Sequence, residues 1–459
     1  MRRSQAVLSN LIAVAMIAVV GGLIVRSNLV SRSSSETSPF GNRPDVTGSR
    51  RAATARDTGL DGSPVGGPTS RQGLQDTVAR MQDRLRDHPS DSSAAVLLAD
   101  ALMRQARVTG NAGIVLGAEQ ALHRVLKDEP LDYQARRMLA TVYLSEHRFR
   151  EAVQQGERLR EQEPSDDWNY GVIGDGHIEL GEYDEAFAAF QKMMDMRPSA
   201  AAYARAAYAL ELRGRLDAAL DAMKLSTDAT APSDPESLAW HHAQVGDLYW
   251  QLGKLDEAAF EYTWSGHSFP GHPFAAMGLA RINEAKGDLN GARASYETLM
   301  SRAPSPEVAE RLGNVYSALG MPNEASRQYA LAESGWRFDA PQPTFLARSL
   351  AEHNQPGTPQ VAEAVRVAET AARDRHDIFT DDALAWAYFK AGRWQDAAGA
   401  MTRARRTGTR DRTILFHAAA IQNSLGNVRA ARQLAREALN GNDHFDLRLA
   451  SEARRLLGN

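Results

Sequence analysis

The chain has 459 residues, 43% hydrophobic and 24% charged, enough for two or three globular domains or for one long array built on local contacts. With 53 basic against 57 acidic residues the formal charge is −4, so no strong field draws nucleic acid, and selectivity must lie in local surfaces. The absence of cysteine excludes disulfides, thiolate metal sites and cysteine nucleophiles.

At the N-terminus Arg2 and Arg3 precede Ala6 to Val25, twenty residues without a charge and long enough to cross a bilayer core. The run ends Gly21-Gly-Leu-Ile-Val-Arg26 with no small-x-small cleavage site, which favours an uncleaved signal anchor over residues 1–30. The alternative is a cleaved signal peptide and a secreted protein. Arg2 and Arg3 are opposed by Arg26 and Arg32, so a small positive-inside bias puts the N-terminus in the cytoplasm. The expectation is a single-pass membrane protein whose folded part lies outside the cytoplasm, with residues 6–25 in contact with lipid. Residues 31–70 are rich in Ser, Gly and Pro, nearly devoid of large apolar side chains, and read as a disordered linker.

Helical periodicity begins at Leu74, Val78, Met81 and Leu85 and stops at Pro89, the pattern of a single leading helix. A first pair follows, Ala95 to Gln105 and Ile114 to Lys127, with a long inner link. From there a ruler appears: Pro130, Pro164, Pro198 and Pro232 are each 34 residues apart, as are Pro270 and Pro304. Inside the periods a second pattern recurs. Gly246, Tyr249, Gly253, Leu255, Ala258 and Tyr262 precede Pro270; Gly174, Gly181, Tyr183, Ala186 and Phe190 precede Pro198; Ala280, Gly287, Leu289, Ala292 and Tyr296 precede Pro304. Small residues such as Gly246 and Ala258 fit helix crossings, Gly181, Gly253 and Gly392 suit helix ends, and the proline closes each unit.

These residues resemble the tetratricopeptide repeat. The resemblance covers residues 71 to 459 and implies an all-α, right-handed α-solenoid of about nine to ten helix-turn-helix repeats, preceded by the transmembrane helix and linker. Regular pairs are expected at 131–164, 165–198, 199–235, 236–270, 271–304 and 305–334. The rhythm breaks at Gly335-Trp-Arg-Phe-Asp-Ala-Pro-Gln-Pro343, where two prolines and a glycine predict a bend between an array over 71–334 and a C-terminal array over 335–459. Periodicity resumes at Leu384 to Tyr388, Gly392, Ala418, Gly426 and Ala430, and a last helix from about Phe445 to Leu457 is expected to cap the end.

No set of residues predicts catalysis or a cofactor. Gly266 to His272 has near P-loop glycine spacing without the Lys-Ser/Thr that would meet phosphate and magnesium. His241, His267 and His272 are a candidate metal cluster for a metal-dependent sensor or enzyme, against the simpler reading that each is satisfied or solvated where it stands. Arg403, Arg405, Arg406, Arg410 and Arg412 read either as a grip on an acidic peptide or phosphate or as a solvated helix end.

The resemblance implies that first helices line a concave groove that holds a segment of another protein. Carried over by register, groove positions hold Trp168, Asp175, Arg205, Tyr208, Trp240, Gln244, Asp247, Trp250, Arg281, Glu284, Arg311 and Asn314, with Asp382, Trp386 and Phe389 after the break. Trp and Arg dominate binding hot spots, and charges are rarely buried between helices. The competing reading for the tryptophans is packing between first helices. The expectation is a membrane-anchored, non-enzymatic interaction scaffold with a protein or peptide partner and no nucleic acid, assembling a complex in a bacterial envelope.

Overall fold

A computed structural model of the protein describes residues 70–338 and 342–458. The proposed anchor and the linker up to residue 69 lie outside the described residues. Among those described, no helix is long and apolar enough to cross a membrane.

The described chain is an all-α solenoid of 22 helices. A leading helix α1 (Arg71–Asp87) precedes ten antiparallel pairs. The first five are α2 (Ser92–Thr109) with α3 (Val115–Asp128), α4 (Tyr133–Ser145) with α5 (Phe149–Gln162), α6 (Asp167–Leu180) with α7 (Tyr183–Met196), α8 (Ala200–Leu212) with α9 (Leu216–Ala229), and α10 (Pro235–Gln251) with α11 (Leu255–Ser268). The next five are α12 (Pro273–Ala285) with α13 (Leu289–Arg302), α14 (Pro306–Ala318) with α15 (Pro322–Phe338), α16 (Pro343–His353) with α17 (Pro359–Asp374), α18 (Ile378–Lys390) with α19 (Trp394–Ala404), and α20 (Arg412–Ser424) with α21 (Val428–Leu439). The closing helix α22 (Leu449–Leu457) starts four residues later than the apolar pattern suggests, because Asp446 caps it by accepting from the Arg448 and Leu449 amides.

Each evenly spaced proline falls in the turn between one pair and the next. After five of the six a capping side chain follows within two residues: Asp132 accepts from the Ala135 amide, Asp166 from Trp168, Ser199 from Ala202, Asp234 from Ser237 and Ser305 from Val308, whereas His272 after Pro270 makes no such bond. Proline ends one helix and the cap starts the next, each cap contributing about 1 kcal/mol. The apolar layer is held by aromatics of the second helices. Tyr262 is fully buried against Gly246 of its own pair and Gly278 of the next, both of which would clash with its ring if they carried a Cβ. Phe190 fills the space over Gly174 in the same way. Across the break at residue 335, Trp336 packs on Phe345 with ring centres 5.0 Å apart, and Arg337 pairs with Glu363, so helices on the two sides remain in contact.

The array curves until it meets itself. Turns inside the second to fifth pairs rest against turns that follow the seventh to tenth. His147 bonds Gln342 at 2.7 Å, Tyr183 Oη accepts from the Ile378 amide at 2.8 Å, and Asn442 donates to the Trp250 carbonyl at 2.7 Å, contacts spanning 195, 195 and 192 residues. The His376 amide bonds the Leu180 carbonyl. Arg403 and Arg406 converge on buried Asp381 at 2.9 and 3.0 Å, Arg406 also reaches the Gly181 carbonyl, and Arg412 the Gln251 carbonyl. Arg406 and Arg412 therefore form part of a seam within the chain, where the sequence pattern offered a grip on an acidic peptide or phosphate or a solvated helix end. One apolar cluster joins Ile178, Tyr183 and Phe190 to Leu384, Trp386 and Phe416.

Gly253 has φ 74°, and a Cβ there would overlap the Gly441 carbonyl across the seam. Gly287, at the equivalent turn of the sixth pair, has φ 79° and nothing within 4 Å of a would-be Cβ. Gly287→Ala is expected to cost only the left-handed backbone penalty, about 1–2 kcal/mol. Gly253→Ala is expected to lower Tm further and to enlarge the radius of gyration as the last turn is pushed off. Equal Tm losses without expansion would show that the seam contributes nothing.

Candidate concave face and cavity

The charges assigned to the groove face one another across adjacent first helices. Arg205 of α8 holds Asp175 of α6 through two hydrogen bonds, at 2.9 and 2.5 Å. Arg281 of α12 pairs with Asp247 of α10 at 2.7 Å, and Asp247 also accepts from Tyr262 at 2.8 Å. Glu284 accepts from the buried Tyr296 phenol, Arg311 lies 3.5 Å from Glu307, and Asn314 accepts from Tyr329 at 2.9 Å. Further along, buried Asp382 bonds His417 at 2.9 Å. The 34-residue offset of the second pair follows from the repeat itself, which places the same helical position of neighbouring units side by side, and the 30-residue offset of the first falls about one helical turn short of it.

The four groove tryptophans are core residues, Trp168, Trp240, Trp250 and Trp386 being only 3–5% exposed. Arg137 lies over Trp168 at 4.5 Å and Arg281 over Trp250 at 4.6 Å. Trp386 is sandwiched between His417, 3.9 Å away, and Phe389, 4.7 Å away, both nearly parallel to it. Neighbouring first helices approach closely enough to bury large flat rings, and cations cover their faces.

Five of the assigned residues, Asp175, Arg205, Tyr208, Trp240 and Gln244, line one cavity between α6, α8 and α10, together with Glu179 and Glu211. Its volume is ≈ 50 Å³, room for about three or four waters. The Trp240 indole N–H has no acceptor among the described residues. Glu179 pairs with Arg375 from across the seam at 3.0 Å, and Glu211 accepts a single hydrogen bond from Gln251 at 2.6 Å. Burial pushes both carboxyls up to about 7, with Arg375 pulling Glu179 back and Gln251 pulling Glu211 back. Sequence reasoning missed both. Glu179 stands one helical turn after Asp175 and Glu211 three residues after Tyr208, so helical spacing placed them on the face already assigned.

The three candidate histidines do not assemble. His241 Nδ1 bonds Thr230 at 2.8 Å, His267 bonds the Thr263 carbonyl of its own helix, and His272 lies 3.7 Å from Glu236. No group of three metal-ligating side chains occurs among the described residues. His272 belongs instead to a buried ion cluster that fastens α2 to α10. There Glu236 accepts from Arg107 at 2.7 and 2.5 Å, and Asp234 from Arg104 at 2.7 Å. Burial works to raise the Glu236 carboxyl, but Arg107, His272 and Arg104 hold it well below the usual range.

The tetratricopeptide-repeat pattern matches residues 111–167, 172–235, 245–306 and 383–446, more than half of the chain. The protein belongs to the tetratricopeptide-repeat family. No curated protein matches the chain. Among solved structures it is similar to PilW, a widely conserved type IV pilus biogenesis factor, at 19% identity over 47% of this chain and 99% of that one, with a TM-score of 0.38. It is also similar to the human IFIT1 dimer with PPP-AAAA, at 10% identity over 80% of this chain and 85% of that one, TM-score 0.45. A third likeness is to Pseudomonas aeruginosa pilF, at 15% identity over 44% and 90% of the two chains, TM-score 0.37.

Because the folded value of Glu211 lies above its ordinary one, the folded state favours the protonated carboxyl. Stability from this group is present at low pH and is lost as pH rises through about 7. Glu211→Gln removes that loss. Thermal melts are expected to show the variant gaining on the parent more at about pH 8 than at about pH 5. The same difference at both pH values would contradict the assignment.

Proposed function

We propose that the protein is a membrane-anchored, non-catalytic interaction scaffold, tethered through residues 6–25 and holding a segment of another protein against the first-helix face between α6 and α14. Tetratricopeptide repeats generally mediate binding to other proteins, which supports the scaffold role. The observation that carries the location is the α6–α8–α10 cavity, lined by Trp240, whose buried N–H has no acceptor among the described residues, and by Glu211, whose one partner is the neutral Gln251 amide. Elsewhere on this face Asp247 is paired with Arg281, Glu284 accepts from Tyr296 and Arg311 lies beside Glu307, so these charges order the surface and the cavity is taken as the point of attachment. The uncharged run Ala6 to Val25 supports the anchor, and the tract from 31 to 70 gives the array reach from the bilayer.

A photo-crosslinking amino acid at Gln244, in the cavity wall, is expected to capture a protein partner in cells, whereas the same group at exposed Gln191 on α7 is not. Capture only from Gln191 would place the binding surface on the second helices and overturn this reading.

A further inference from the structure

We propose that the α6–α8–α10 cavity receives one cationic, lysine-type side chain of the bound segment, with Glu211 as its counter-ion and Trp240 N–H donating to a backbone carbonyl beside it. This rests on the concave-face reading above and adds the chemistry of what enters. Glu211 meets no cation among the described residues: its one hydrogen bond comes from the neutral Gln251. The cations nearby are committed, Arg205 to Asp175 by two bonds and Arg375 to Glu179 and Asp377 at 3.0 and 3.1 Å. Other charges acting on Glu211 come from Asp247 on its neighbouring first helix and Asp411 across the seam, both acidic. The site therefore holds a buried carboxyl with no cationic partner among the described residues and a protein wall around it.

Size and lining agree with that charge. Space for about three or four waters admits a compact ammonium, with its three donors, more readily than a broad planar group. Tyr208, Phe149 and Trp240 line the cavity, and aromatic rings attract a desolvated cation. A buried carboxylate without a counter-ion is unfavourable, and an entering ammonium removes that penalty by ionising Glu211 and releasing its proton to solvent. Trp240 N–H, a donor with no acceptor, matches the carbonyl that any peptide carries next to its side chain.

The test uses the full-length chain and two capped pentapeptides, Ala-Ala-Lys-Ala-Ala and the same peptide with norleucine, which keeps the length of the side chain and drops the charge. Calorimetry is expected to show the lysine peptide binding about tenfold or more tightly than its norleucine twin, with proton release near pH 7. Glu211→Gln, which keeps the shape and the contact to Gln251, is expected to stay folded and to lose both the preference and the proton release. Gln244→Lys supplies an internal cation and is expected to block the lysine peptide without unfolding the array. Equal affinity for the two peptides, no binding of either, or an undiminished preference in Glu211→Gln overturns the proposal. Equal affinity leaves the concave-face reading standing, whereas failure of capture from Gln244 removes that reading itself.

Discussion

Backbone meets backbone where the turn at Gly253 rests on the turn at Gly441. The same register recurs three more times, at His147 with Gln342, at Gly181 with His376 and at Gly214 with Gly408. A stack of helix pairs held only by nearest neighbours is a flexible spring, because each pair adds a small rotation and small errors accumulate. Contacts that span about 195 residues fix the accumulated rotation at one value. The seam adds polar specificity to that constraint. Arg375 reaches across the seam to Glu179, and Arg406, held beside the fully buried Asp381, reaches the Gly181 carbonyl.

Closure decides one part of the concave face. The repeat spacing alone pairs the charges of adjacent first helices, Asp175 with Arg205 and Asp247 with Arg281, and sets cations over the rings of Trp168 and Trp250. The surface becomes self-complementary almost throughout. What stands out is the exception: a cavity where Arg375, delivered from the far side of the seam, balances Glu179, while Glu211 one repeat further on receives only a neutral amide. Seam and cavity are thus parts of one arrangement, since the loop from Asp374 to Asp377 both closes the coil and neutralises one of the two carboxyls.

Local structure was legible because it is written locally. The prolines mark the turns between pairs, Asp or Ser after five of the six starts the next first helix, and glycines such as Gly174 and Gly246 sit under aromatics such as Phe190 and Tyr262. The leading helix, ten pairs and the closing helix follow from those signals. Register also put Asp175, Arg205, Tyr208, Trp240 and Gln244 on one face, and they do line one cavity. The seam had no such signal. Gly253 looks like Gly287 in sequence, and only the summed rotation of five pairs decides that one meets Gly441 and the other meets solvent. For the same reason Arg403, Arg406 and Arg412 gave no hint of their partners, and Trp386 could not be told from a ligand-facing ring until His417 lay against it.

The central claim is that the coil is closed, and the lack of cysteine permits a direct measurement. Single cysteines at exposed Arg215, beside the Gly214 turn, and exposed Arg405, beside the Gly408 turn, can carry a pair of spin labels in the full-length chain. Pulsed electron resonance is expected to return one narrow, short distance, the span of two label arms across touching turns. A broad distribution centred at long distance would mean that the array is an open spring, and the account of both seam and cavity would fall with it.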